Sequence, residues 1–131
     1  MNTRTTGERE LWGTTEVDNV RLDQLQDRVN INIAGAPFQL TEGDAMEKGP
    51  LLLEIWRRRD GTLRTFVNGD DRSRPGIQSD GVFALSGIGF DQAGTSGWDD
   101  AAFEYIVCHG LPNAARRREV REYLRAKWGL F

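Results

Sequence analysis

The sequence contains one cysteine and one histidine among its 131 residues, and these shortages exclude several classes of protein. A single cysteine, Cys108, permits no internal disulfide, although small secreted domains commonly depend on disulfides. The same shortage leaves no set of cysteines and histidines for a zinc site. We therefore expect intracellular synthesis and no zinc.

Long apolar runs are also missing. No stretch approaches the ~20 apolar residues needed to span a bilayer, and residues 1–13 lack the apolar core of a signal peptide. The net charge of −3 and the pI near 5.2 argue against a general nucleic-acid binder. The sequence predicts a soluble protein without membrane insertion and without nucleic acid as a partner.

Groups suited to catalysis are sparse. His109 adjoins Cys108, but adjacent residues of a strand point to opposite faces and do not form a nucleophile pair. We expect Cys108 to be a small buried residue instead. Glycoside hydrolysis needs two carboxylates roughly 5–10 Å apart, whereas Glu54 and Glu104 each stand alone in an expected strand. The sequence therefore predicts no enzyme.

What is present fits one turn-rich β domain. The hydrophobic content is 38%, with 15 glycines and four tryptophans. We expect residues 1–10 to form a polar arm and residues 11–131 to form a single antiparallel β-sandwich with one C-terminal helix. The predicted strands are one or two within 11–25, then 29–33, 36–40, 51–58, 62–67, 82–90 and 101–108. The last of these is apolar on both sides, which predicts that both of its faces are covered.

The C-terminal segment carries helix signals. Asn113 is a favourable N-cap, the residues that follow are strong helix formers, and Gly129 occupies the expected C′ position. The predicted helix spans 113–128. One narrow apolar stripe runs along it, which predicts a helix on the outside of a larger body. The stripe consists of Val120, Tyr123, Leu124 and Trp128.

A second face of this helix is basic. Arg117, Arg121 and Arg125 follow an i, i+4, i+8 spacing, so three like charges lie along one line. Charged faces are commonly just solvated. The alternative hypothesis is a contact surface for an acidic partner.

Two segments resemble a known family. The first runs from Glu104, Ile106 and Val107 through Leu111 and Asn113 to the ending EYLRAKWGL. The second, LLLEIWRRRDGTLRTFVNG, is similar to a central hairpin that ends in an Asn-Gly turn. Together they resemble the C-terminal two-thirds of laminin-G-like, concanavalin A-like jelly-roll domains. This resemblance implies a non-catalytic binding domain that works outside cells. Full-size members are longer, so we expect open sheet edges and either oligomerisation or docking onto another chain.

The resemblance also implies candidate sites on loops. Several such domains bind calcium at a sandwich rim, and Asp91, Asp99 and Asp100 supply suitable oxygen ligands in one loop. A second group of candidate oxygen ligands consists of Asn68, Asp70 and Asp71. Neither loop has an ordered ligand spacing, and acidic loops are commonly solvated.

For a glycan, the best candidate is Trp98 beside Asp99 and Asp100, because an exposed indole can stack on a sugar ring. Trp12 is the next candidate. The alternative for Trp98 is an anchor that holds its loop on the core. We expect Trp56 and Trp128 to be packing residues.

Two functions remain open. The first is an external virion component, such as a capsid decoration, head fibre or tail protein of a bacteriophage, which docks on other virion proteins or on copies of itself. Synthesis in the host cytoplasm and display after lysis would reconcile an extracellular fold with the absence of disulfides. Such a component could also bind host glycans. The second is a free-standing carbohydrate- or protein-binding module.

Overall fold

The computed structural model describes residues 8–15, 18–23, 27–42, 51–83, 87–88, 104, 106–108 and 110–130. Within these ranges the chain is mostly β-structure with one C-terminal helix. The elements in chain order are β1 (Glu8–Thr15), β2 (Asp18–Asp23), β3 (Arg28–Ile33), β4 (Ala36–Gln39), β5 (Leu53–Arg57), β6 (Leu63–Val67), β7 (Asp70–Asp71), β8 (Gly87–Ile88) and α1 (Ala114–Trp128).

The strands form two antiparallel sheets. One sheet has five strands in the order β4-β3-β2-β1-β8, and the other has three in the order β5-β6-β7. Consecutive strands are neighbours within β1 to β4 and within β5 to β7, as short turns between antiparallel strands require. β1 begins at Glu8, so the last three residues of the predicted arm lie in a strand.

A single apolar core joins the two sheets. Its buried members come from β2 and β3, from β6 and from the end of β4, while half-buried residues of β5 pack against them. The buried members are Val20, Leu22, Val29, Ile31, Ile33, Leu40 and Leu63. The alternation predicted for 29–33 is confirmed, because Val29, Ile31 and Ile33 point inward.

The hairpin of β5 and β6 is also confirmed. Asp60 Oδ1 accepts a hydrogen bond from the Thr62 backbone N–H at 2.9 Å, and Gly61 adopts a φ of 87°. The two strands pair from Leu53 opposite Val67 to Arg57 opposite Leu63. This register places Glu54, Trp56 and Phe66 on the sheet face that points away from the core.

α1 covers that outer face, and its ends are where the sequence placed them. Asn113 Oδ1 accepts a hydrogen bond from the Arg116 N–H at 2.9 Å, and Gly129 is left-handed with a φ of 63°. Leu124 is the only residue of the helix that is buried. The prediction of an outer helix is confirmed, although Tyr123 and Trp128 of its apolar stripe are exposed. None of the helical residues that the structure describes forms a segment long and apolar enough to cross a bilayer.

The strand predicted over 101–108 is wrong for its described residues. Glu104 and residues 106–108 lie outside any strand, and the exposed fractions of Ile106 and Val107 are 44% and 68%. Cys108 is exposed, so its predicted burial is also wrong. A period-2 pattern supplies strand propensity, but a strand also needs a neighbour to pair with, and Glu104 is instead bonded to α1.

Candidate functional site

A polar groove lies on the outer face of the five-stranded sheet. It encloses about 360 Å³, and β2, β3 and β4 supply its walls. Its lining residues are Arg21, Arg28, Asn30, Asn32, Pro37, Phe38 and Gln39. A second, smaller open concavity among the described residues lies at Asp60, Gln78, Ser79 and Asp80.

Strand register explains why these side chains meet. Arg21 pairs with Asn30, and Asn30 pairs with Gln39, so these residues form a row across three strands. Asn32 and Pro37 form part of the next row along the strands. Residues two apart share a face, so the inward Val29, Ile31 and Ile33 force Asn30 and Asn32 outward.

Hydrogen bonds and ion pairs hold one end of the groove in place. Arg28 Nε lies 3.3 Å from Asp23 Oδ2, and Arg28 Nη1 donates to Gln39 Oε1 at 3.3 Å. Gln39 Nε2 in turn donates to the Thr41 carbonyl at 2.8 Å. The buried Thr41 hydroxyl accepts from the Val29 N–H at 2.9 Å, which ties this corner to the core. The Gln39 amide and the Arg28 guanidinium are therefore held in fixed positions.

The groove contains both donors and acceptors but little catalytic chemistry. Amide side chains donate and accept, whereas arginine only donates. The described residues that line it include no carboxylate, histidine, cysteine or serine. Such a set suits recognition of a neutral ligand rich in hydroxyl groups. Pro37, paired with Asn32, adds apolar surface beside the amides.

Sequence reasoning missed this groove, although one signal was available. The alternation Val-Asn-Ile-Asn-Ile is enough to place Asn30 and Asn32 together on the face away from the core. The alternation does not indicate which strands lie beside β3. Arg21 and Gln39 join the asparagines only through strand pairing.

The sequence-predicted loop sites fall largely outside the described residues. Trp98, Asp99, Asp100 and Asp91 all lie there, and so does the side chain of Trp12. The backbone of Trp12 lies in β1, opposite Val20 on one side and Ile88 on the other.

In the second group of candidate oxygen ligands, Asn68 and Asp71 make hydrogen bonds to nearby backbone groups. Asn68 Oδ1 accepts from the Leu52 N–H at 2.8 Å, and Asp71 Oδ1 accepts from the Ser73 N–H at 2.9 Å. Desolvation pushes the pKa of Asp71 upward, but hydrogen bonds from Ser73 and Arg64 outweigh it and lower this pKa. Asp71 also pairs with Arg64. No group of three or more potential metal ligands occurs in the described parts of the chain.

The basic face of α1 is turned largely toward the chain's own sheet. Arg121 makes two hydrogen bonds to Glu54, from Nε at 2.7 Å and from Nη2 at 3.2 Å. Its guanidinium also lies 5.4 Å from the centre of the Phe66 ring. The bond with Glu54 raises the pKa of Arg121. Arg121 is therefore an internal contact, and the surface predicted for a partner is occupied at this position.

Arg117 and Arg125 differ from each other. The Arg117 guanidinium lies 4.8 Å from the centre of the Trp56 ring, and its Nη1 donates to the Pro112 carbonyl at 2.6 Å. Arg125 stays at the helix surface, where it pairs with Glu122 at 3.3 Å. Trp56 stacks on Phe66 with ring centres 5.7 Å apart, which agrees with its predicted packing role.

A second cluster joins the end of α1 to the preceding segment. Glu104 accepts hydrogen bonds from Trp128 Nε1 at 2.8 Å, from Lys127 Nζ at 3.0 Å and from the Tyr123 hydroxyl at 3.2 Å. The Trp128 and Lys127 bonds lower the pKa of Glu104. The bonds with Tyr123 and Glu104 raise the pKa of Lys127. These bonds attach Glu104 to the C-terminal half of α1.

Comparison with known proteins adds no family to this description. No family model, no curated protein and no solved structure matches the chain. The likeness to laminin-G-like domains therefore stays a prediction, and the function has to be argued from the groove and the surfaces around it.

Proposed function

We propose that the protein is a non-catalytic carbohydrate-binding domain with a concanavalin A-like sandwich fold, and that the polar groove is its sugar site. The observation that carries this proposal is the row of Arg21, Asn30 and Gln39 beside Asn32. Sugar hydroxyls both donate and accept hydrogen bonds, and planar amides and guanidinium groups match them in pairs. The contacts of Arg28 with Asp23 and Gln39 keep part of this surface preorganised, which limits the entropy lost on binding.

The test is a glycan array probed with the wild-type chain and with Asn30→Ala and Asn32→Ala. We expect the wild type to bind a subset of glycans and each groove variant to lose at least about tenfold in affinity, equivalent to about 1.4 kcal/mol. Gln78→Ala is the matched control, because it removes an amide that lies outside the groove. Thermal melts of all four chains exclude loss of folding as the cause.

Two outcomes would refute this proposal. One is a folded wild type that binds nothing on an array covering neutral, amino and acidic sugars. The other is binding that the groove variants leave unchanged. Repeating the array with and without a calcium chelator tests the calcium site predicted at Asp91, Asp99 and Asp100.

A second function, assembly within an external virion component, is favoured by three exposed apolar side chains that are close together in the chain, which we call the apolar strip. The exposed fractions of Ile106, Val107 and Leu111 are 44%, 68% and 37%. Adjacent exposed apolar residues are typical of a surface that another subunit covers. We propose that this strip contacts other copies of the chain in a bacteriophage capsid, fibre or tail, with carbohydrate binding as the externally displayed activity.

Light scattering after size exclusion tests the assembly. We expect the wild type to form a defined oligomer and Val107→Asp to be monomeric. Arg72→Asp, at an exposed position outside the strip, is the control and keeps the oligomer. A wild type that stays monomeric at every concentration would refute self-association through this strip.

A further inference from the structure

The contact between α1 and the three-stranded sheet is rich in charged and aromatic groups. Arg121 bonds twice to Glu54, while Arg117 and Arg121 lie over the rings of Trp56 and Phe66. Leu124 is the only residue of the helix that is buried. We call residues 104, 106–108 and 110–130 the C-terminal arm, and the outer face formed by Glu54, Trp56 and Phe66 the arm receptor.

Several bonds within the arm do not involve the receptor. The Glu104 cluster ties the start of the arm to Trp128 and Lys127, and the caps at Asn113 and Gly129 complete both ends of the helix. None of these contacts involves the sheet. Separating arm and receptor therefore breaks an ion pair and two ring contacts but leaves the arm's internal bonds intact.

The arm and its receptor are complementary in chemistry. The arm offers two guanidinium groups four residues apart on one helix face. The receptor offers one carboxylate and two stacked rings, which are the groups that bind a guanidinium by paired hydrogen bonds and by cation–π attraction. Every copy of the chain carries both surfaces, so two copies can exchange arms and form two identical contacts.

We propose that the arm receptor is an assembly surface whose partner is the arm of a second copy of this chain. The exchanged contact uses the same pairs as the internal one, with Arg121 and Arg117 of one copy on Glu54 and Trp56 of the other. The chain alone at low concentration closes on itself, because its own arm has the higher effective concentration. In a particle, where copies are crowded together, arms pass between neighbours. This proposal is independent of the carbohydrate site and gives the assembly role a second, specific contact.

A charge-reversal mixing experiment tests the exchange. Glu54→Arg and Arg121→Glu are prepared as separate chains, both carrying Val107→Asp so that the apolar strip contributes no dimer, and each places like charges in its own contact. In the mixture, exchange of arms restores an opposite-charge pair at both contacts of the heterodimer. We expect at least tenfold more dimer in the mixture than in either variant alone. The chain that carries both reversals serves as a control, since it restores the pair within one molecule.

A second measurement covers the case in which a reversed variant does not fold. Glu54→Cys and Arg121→Cys are placed in separate chains, each with Cys108→Ser, and the chains are mixed under mild oxidation. Exchange predicts a heterodimeric disulfide in at least fivefold excess over either homodimer. The proposal is overturned if the charge-reversed mixture stays monomeric while the double reversal regains a protected helix in hydrogen exchange. An absence of excess heterodimer in the disulfide experiment overturns it equally. Neither outcome bears on carbohydrate binding or on self-association through the apolar strip, because each of these has a separate test.

Discussion

Arg121 on α1 and Glu54 on β5 lie 67 residues apart in the chain and form a two-pronged pair, with N–O distances of 2.7 and 3.2 Å. Their side chains are only 24% and 18% exposed. A pair this sheltered is screened less by salt than a surface pair, and both of its hydrogen bonds are charge-assisted.

We expect the effects of Glu54→Gln and Arg121→Gln on the free energy of unfolding, measured in urea, to be non-additive. Because the pair is half-buried, the coupling energy should be about 1–2 kcal/mol, between the values for exposed and for buried pairs. The same cycle at Arg116 and Glu119, whose side chains are 73% and 62% exposed, is the control and should give at most about 0.5 kcal/mol. Additive effects at Glu54 and Arg121 would show that the pair contributes no net stability.

Glu104 should make the docking of its segment on α1 dependent on pH. Its pKa is lowered in the folded state by the bonds from Trp128 and Lys127, so the folded state binds fewer protons than the unfolded one. The stabilisation is therefore present above the unfolded pKa of about 4.3 and is lost as pH falls through the lower folded value.

Thermal melts of the wild type and Glu104→Gln between pH 3 and 7 measure this effect. The wild type should be the more stable chain near neutral pH, and the difference should shrink as the pH falls below about 4. A difference that stays constant over this range would mean that the charge of Glu104 plays no part.

Asn113 should stabilise α1 through its side-chain oxygen. Replacing it with alanine leaves the Arg116 N–H without its acceptor, which should cost about 1 kcal/mol in the free energy of unfolding. Asn113→Asp keeps the acceptor and adds a negative charge to a first turn that has no acidic residue. It should therefore equal or exceed the wild type, by about 0.3–1 kcal/mol. Urea unfolding followed by circular dichroism at 222 nm compares the three chains, and equal stability of the Ala and Asp variants would contradict the cap.

Alanine substitutions at two glycines should distinguish the energetic cost of backbone strain from that of a steric clash. Gly61 and Gly76 both have positive φ angles, of 87° and 76°, but a Cβ on Gly61 would lie 2.7 Å from the Ser79 carbonyl oxygen. A Cβ on Gly76 would meet nothing within 4 Å. Gly76→Ala should therefore cost only the left-handed strain, on the order of 1–2 kcal/mol. Gly61→Ala should cost clearly more in the same urea titration, and equal costs would exclude the clash.

The sequence predicted the elements whose determinants are local. Asn113 and Gly129 end the helix through hydrogen bonds that reach only a few residues, so both ends could be named from the sequence. The β5–β6 hairpin follows in the same way from Asp60 and Gly61, and the inward face of β3 follows from alternation. Each of these depends on neighbours that the sequence itself supplies.

The features that the sequence did not predict depend on contacts between segments that are distant in the chain. The sequence favoured a solvated basic face on α1, with a partner surface as the alternative, and only the packed sheet shows that Glu54 and Trp56 lie beneath Arg121 and Arg117. The segment at Glu104 has strand propensity but lies outside any strand, because a strand needs a paired neighbour. The polar groove likewise exists only where β2, β3 and β4 come into register. Local hydrogen bonding is encoded within a few residues, whereas which surfaces meet depends on how the whole chain buries its apolar side chains.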